Sequence, residues 1–262
     1  MVSSVFAQGA GIESDIFYQE AVNYSKLGDY DKAEKNAKEA LTLAESNVGL
    51  EHPAVVESLE LLAFISYKQG NYAKSEQLYR RSLGIFDKHL GPDHPLIAIR
   101  LTNLARVYKM QGEYTKAEPF FKRSLAIDEK ALGVDHPDLA DRLLDLATIY
   151  FIQGHKSKSE LFYKRSLAIK EKAFGTDHPD LVAGLVNLAL SYGAEDYGKA
   201  EPLFKRCLDI MENVEKNSDY ASFYEMTSLL HLQSIYKSTN RNSKAEDLEE
   251  RINKLKAKKK TR

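Results

Sequence analysis

The chain has 262 residues, 37 Lys and Arg against 38 Asp and Glu, 43% hydrophobic side chains and a single cysteine, Cys207. One cysteine excludes an intramolecular disulfide framework and a thiolate-rich metal cluster, and no stretch approaches the ~18 uninterrupted apolar residues of a membrane span. The balanced charge hides an asymmetry: residues 251–262 hold 7 basic and no acidic side chains, which leaves residues 1–250 at a net of −8 and argues against broad nucleic-acid binding.

A ruler runs along the sequence. His52-Pro53, His94-Pro95, His136-Pro137 and His178-Pro179 recur every 42 residues. Gly28, Gly70, Gly112 and Gly154 keep the same step, as do Gly49, Gly91, Gly133 and Gly175. A fixed period of this length marks a repeat architecture.

Residues 1–12 are expected to form a disordered N-terminal segment. Small residues around Val5-Phe6-Ala7 look like the cleavage end of a secretory signal, but the basic start and the apolar run of about 7–15 residues that such a signal needs are missing. The expected compartment is therefore the cytoplasm, with export as the alternative if residues 1–7 end a longer signal.

Six helix pairs are expected over residues 13–250, starting near Asp15, Ala54, Leu96, Asp138, Asp180 and Ser222. The third shows the pattern most clearly. Asp93, His94 and Pro95 supply a cap and a first-turn proline. Leu101, Leu104, Ala105 and Tyr108 then recur at helical spacing. Gly112 breaks the helix, and Tyr114, Ala117, Phe121, Leu125 and Ala126 continue the stripe on a second one. Gly133 stands where a left-handed C-terminal cap is expected. The fifth pair has lost one residue in its turn, since Tyr108 to Tyr114 spans six positions and Tyr192 to Tyr197 five. The sixth, with Leu232, Tyr236 and Ala245, lacks the His-Pro, as expected of a terminal unit. Residues 251–262 read as a basic, solvated tail. Strict apolar/polar alternation persists nowhere, so the fold class is all-α. Because neither helix of a pair buries its apolar face alone, the pairs must stack into a solenoid.

The residue pattern chooses among repeat types. Leu101-x2-Leu104-Ala105-x2-Tyr108 with Ala117-x3-Phe121 resembles the tetratricopeptide signature. So does Leu185-x2-Leu188-Ala189-x2-Tyr192 with Ala200-x3-Phe204. The connectors Leu90 to Pro95, Leu132 to Pro137 and Phe174 to Pro179 make the repeats similar to those of kinesin light chain type, although no heptad region is present. The resemblance implies a right-handed superhelix of antiparallel helix pairs and a non-enzymatic scaffold for a protein or peptide partner.

Chemistry of other kinds finds little support. Equivalent points on stacked pairs lie about 10 Å apart, given interaxial distances of about 8–10 Å, whereas Zn–N bonds are about 2.0–2.1 Å. The four His-Pro histidines therefore cannot share an ion, and a connector and capping role is expected of them. No phosphate loop, nucleophile elbow or zincin string occurs. Cys207 takes the position of Ser82, Ser124 and Ser166 and is expected to pack, as are Tyr108, Tyr114, Tyr150, Tyr192 and Tyr197. No catalytic residue, metal site or cofactor is expected.

The resemblance also implies where a partner binds, as an extended peptide or a partner helix in the concave groove. First helices line the concave face, and an Asn before Leu-Ala holds the backbone of an extended peptide. Asn103 and Asn187 match that position, and Asp145, Leu61 and Gln19 replace it elsewhere. An amide offers the donor and the acceptor that a peptide bond needs. One turn on lie Phe64, Arg106, Thr148 and Leu190, and a further turn on Lys68, Met110 and Ile152. The alternative expectation is an assembly module acting through its convex face or edges, with the groove idle.

Overall fold

The structure, a computed structural model, describes residues 11–212 and 219–260. The signal-like residues 5–7 and the end of the basic tail, residues 261 and 262, lie outside the described residues. Among the described residues there are twelve α-helices and no strands. They are α1 (Ile12–Lys26), α2 (Tyr30–Val48), α3 (Val56–Lys68), α4 (Tyr72–Leu90), α5 (Pro95–Met110) and α6 (Tyr114–Leu132), then α7 (Leu139–Ile152), α8 (Lys156–Phe174), α9 (Val182–Tyr192), α10 (Tyr197–Glu212), α11 (Asp219–Ser238) and α12 (Asn242–Lys260). Short 3-10 turns, Pro53–Val55 and Pro179–Leu181, precede α3 and α9. The chain divides into two compact units, Met1–Gly133 and Val134–Arg262, each holding three helix pairs. The basic stretch from Arg251 falls inside α12, which continues to Lys260.

The His-Pro connectors work as the spacing predicts. The ring Nδ1 of His94 accepts a hydrogen bond from the N–H of Leu96 at 3.2 Å. His52, His136 and His178 do the same for Ala54, Asp138 and Asp180. The following proline sits where a missing N–H costs nothing. The preceding glycine corrects one expectation. Gly133 has φ 90° and ψ 156°, and Gly91 has φ 82° and ψ 161°. This is the extended positive-φ region open essentially to Gly alone, not the left-handed helical cap. The chain leaves the helix straight into the connector after a last bond from Gly133 N–H to the Glu129 carbonyl.

In the first unit the second helix α2 offers mostly small residues to the core, with Leu41 beside them. Ala33, Ala37, Ala40 and Ala44, at three- and four-residue steps, are fully buried, which brings its neighbours close. Leu59, Ile65, Ile97, Leu101, Leu104, Tyr108 and Phe121 fill the remainder. Tyr108 stacks on Phe120 with centroids 5.6 Å apart. In the second unit Leu185, Leu188, Phe204, Leu229, Leu232 and Ile252 build one core, with Cys207 inside it. Burial pushes the Cys207 thiol up to about 11, and Tyr150 lies against Phe162 in the same unit. Both fit the packing role the sequence assigns to them.

Two periodic devices join neighbouring pairs. A glutamate early in α4 and in α8 reaches the end of the next first helix: Glu76 accepts from the Tyr108 hydroxyl at 2.6 Å, and Glu160 from that of Tyr192 at 2.9 Å. An arginine further along that helix donates to a carbonyl in the preceding connector. Arg81 bonds Leu50, Arg123 bonds Pro92, Arg165 bonds Val134 and Arg206 bonds Thr176, at 2.6–2.7 Å. In the shortened turn after α9, Asp196 caps α10 by accepting from the Lys199 N–H at 3.1 Å. Asp29 and Asn71 do so for α2 and α4.

Candidate functional site

Within the first unit the helices α1, α3 and α5 surround a cavity of about 430 Å³. Helical spacing builds its wall. Glu57, Glu60 or Leu61, and Phe64 lie at three- and four-residue steps on α3; Leu96, Ile99 or Arg100, and Asn103 do so on α5. Tyr18 of α1 closes one side, and Tyr79 and Phe86 of α4 contribute as well. Phe64 and Ile99 are large apolar side chains exposed by 40% and 48%.

An ion pair spans the wall. Arg100 Nε lies 2.7 Å from Glu60 Oε1, and its Nη2 donates to Oε2 at 3.2 Å. The guanidinium sits 3.9 Å above the Phe86 ring centroid and donates through Nη1 to the Leu96 carbonyl at 2.6 Å. Ser82 donates to Glu60 Oε1 at 2.7 Å. Burial holds the Glu60 carboxyl above its ordinary range, outweighing the opposing pull of Arg100, and the same burial lowers the guanidinium. Desolvation thus outweighs attraction, as is common for pairs taken out of water.

Of the residues singled out from the sequence, Phe64 and Asn103 line this cavity together. Lys68 lies beside it, with Nζ 5.3 Å from the Phe64 ring centroid. Arg106 is half-buried and Met110 exposed on the next turns of α5. The remaining five belong to the second unit. Ile152 is exposed and Asn187 half-buried. Asp145 is 9% exposed, and Leu190 packs against that unit's core. Thr148 bonds the Leu144 carbonyl and accepts from the Tyr163 hydroxyl at 3.1 Å. The sequence reading missed Glu57, Glu60, Ile99 and Arg100. Their signal was present: each lies one or two turns before Phe64 or Asn103 on the same helix face.

Among the described residues no group of three His, Cys, Asp or Glu side chains could hold a metal ion. No helix among them is long and apolar enough to cross a membrane.

The family model for the tetratricopeptide repeat matches residues 14–88, 57–130, 101–172 and 162–213, together most of the chain. The chain belongs to the tetratricopeptide repeat family. Repeats of this family generally mediate protein–protein interaction. Solved structures share the tetratricopeptide fold. BtubC (BKLC) from P. vanneervenii is 21% identical with a TM-score of 0.71, over 95% of this chain and 91% of that one. The nearly identical TPR-like repeats of a Podosopora anserina protein described as a kinesin light chain are 22% identical with a TM-score of 0.66, over 78% and 97%. PilW, a type IV pilus biogenesis factor, is 20% identical with a TM-score of 0.67, over 92% and 93%. None of the curated protein sequences compared matches the chain. At these identities the tetratricopeptide likeness speaks for fold alone.

Proposed function

We propose that the chain is a non-enzymatic adaptor whose first helices hold an extended segment of a partner protein, anchored in the cavity of the first unit. The supporting observation is the meeting of Asn103 with Phe64 and Ile99 around one cavity. An amide there can pair with a peptide group for about 1 kcal/mol per bond, while the exposed rings and branched chains take up apolar area at about 25 cal/mol per Å². Pockets that are largely apolar with a few convergent polar groups are the usual form of a binding site.

The test is co-purification from the source organism at about 0.15 M salt, where charges beyond ~8 Å are screened, with the partner identified by mass spectrometry and then titrated. Asn103→Ala and Phe64→Ala should each weaken the purified partner's affinity without moving the unfolding midpoint. A partner that binds both variants as tightly as the wild type overturns the reading and moves recognition to the outer helices.

A further inference from the structure

We propose that copies of this chain associate head to tail: the pair α11 and α12 of one copy stacks on the pair α1 and α2 of the next, and Glu246 of the first meets Tyr24 of the second. The partner is a second copy of this chain, a step beyond the adaptor reading.

A glutamate follows a small residue at the same place in every second helix: Glu34, Glu76, Glu118, Glu160, Glu201 and Glu246. In both units it reaches forward to the following pair. Glu34 accepts from Gln69 at 3.1 Å, Glu76 from Tyr108 at 2.6 Å, Glu160 from Tyr192 at 2.9 Å and Glu201 from Arg241 at 2.6 Å. Glu246 is exposed on α12, and among the described residues no pair follows α12. Tyr24 carries the matching half. At Tyr108 and Tyr192 a lysine of the same pair, Lys116 or Lys199, covers the ring, while the glutamate of the preceding pair holds the hydroxyl. Tyr24 takes that position in α1, with Lys32 5.3 Å from its ring centroid, and among the described residues no pair precedes it.

The faces around these two residues agree. The turn Pro53–Val55 and α3 lie against α2 and bury Ala54, Val55, Ser58, Leu62 and Ile65. The residues 42 positions earlier, Ile12, Glu13, Ile16, Glu20 and Asn23, are exposed, Ile12 by 80% and Ile16 by 53%. The ion pair of Glu60 with Arg100 shows where such a face lands on the preceding pair. Arg100 stands eight residues before Tyr108, as Ile16 does before Tyr24, and Glu60 stands six before Ser66, as Leu230 does before Tyr236. Leu230 is 43% exposed, so across the joint Leu230 and Ile16 make an apolar contact where the chain has an ion pair. Arg100 also lies over Phe86, whose place on α12 is taken by exposed Lys256. Glu20, one turn beyond Ile16, is of opposite charge to Lys256, which steers the two unlike edges together. A joint between unlike edges repeats from copy to copy, closing a ring or growing a chain.

Sedimentation velocity of the full chain over a concentration series tests the proposal, and the average mass should rise with concentration. Ile16→Arg blocks one edge and Leu230→Arg the other. Each variant should stay monomeric alone, and an equimolar mixture should form a dimer and stop, because one intact edge of each kind remains. Tyr24→Phe, which keeps the ring, and Glu246→Ala should each weaken association about fivefold, the worth of one hydrogen bond. The double variant should lose no more than either alone, as expected of one shared contact. A wild type that is monomeric at every concentration overturns the proposal. So does a mixture of the two blocked variants that stays monomeric, a Leu230→Arg chain that associates by itself as well as the wild type, or association unmoved by Tyr24→Phe and Glu246→Ala.

Discussion

Arg100 and Glu60, forty residues apart in sequence, meet with Nε 2.7 Å from Oε1 in the wall of the first unit's cavity. Their side chains are only 10% and 23% exposed, so water compensates either one poorly when its partner is removed. Arg100→Ala should therefore destabilise the chain by about 3 kcal/mol, the cost of a buried charge left alone. The double variant Arg100→Met/Glu60→Leu should recover most of that loss. Urea unfolding of both variants checks this, and a double variant as weak as the single would mean that the pair stabilises in its own right.

The His-Pro connectors make a second expectation. His94 Nδ1 caps α5 through the Leu96 N–H, and loss of a side-chain cap costs about 1 kcal/mol. His94→Ala should lower the unfolding midpoint by about 2–4 °C, while His94→Asn, which keeps an acceptor, should lower it less. Equal midpoints for all three proteins would deny the cap any energetic role.

Acid sensitivity follows from Glu34. Lys38 and Lys74 hold its carboxyl at about 2, well below the ordinary 4.5. A group whose pKa is depressed by folding adds stability above its unfolded value and loses it as pH falls through the folded one. Glu201, paired with Arg241 and Lys205, is also held at about 2. Stability should therefore decline between about pH 4.5 and pH 2. The decline should be shallower in Glu34→Gln/Glu201→Gln, as followed by urea midpoints across that window.

Cys207 should be inert in the folded chain. It is fully buried, and its thiol is pushed up to about 11, so little reactive thiolate exists at about pH 8. A colorimetric thiol reagent should report no free thiol in native protein and one in guanidinium chloride. Rapid labelling of the native chain would show that the core around Phe204 and Ser228 opens readily.

The repeat, its period, the six helix pairs and the His-Pro caps were all legible in the sequence. They depend on contacts within a few residues or on a step repeated along the chain, and such regularities survive without knowledge of the fold. The packing of Tyr108 and Cys207 was legible for the same reason, because a residue at the same step in each unit meets the same neighbours. The ψ of Gly133 was not legible, since composition announces a positive φ but not the direction in which the chain departs. Nor was the cavity. The sequence placed Asn103 and Phe64 on helix faces, but only tertiary packing of α1, α3 and α5 brought Tyr18, Glu57, Glu60 and Ile99 around them. The same packing buried Asp145 and set Leu190 against the core. Periodicity determines which face of a helix a residue occupies. How deep that face lies, and which charge from another helix stands opposite, is decided by the close approach of elements distant in the chain.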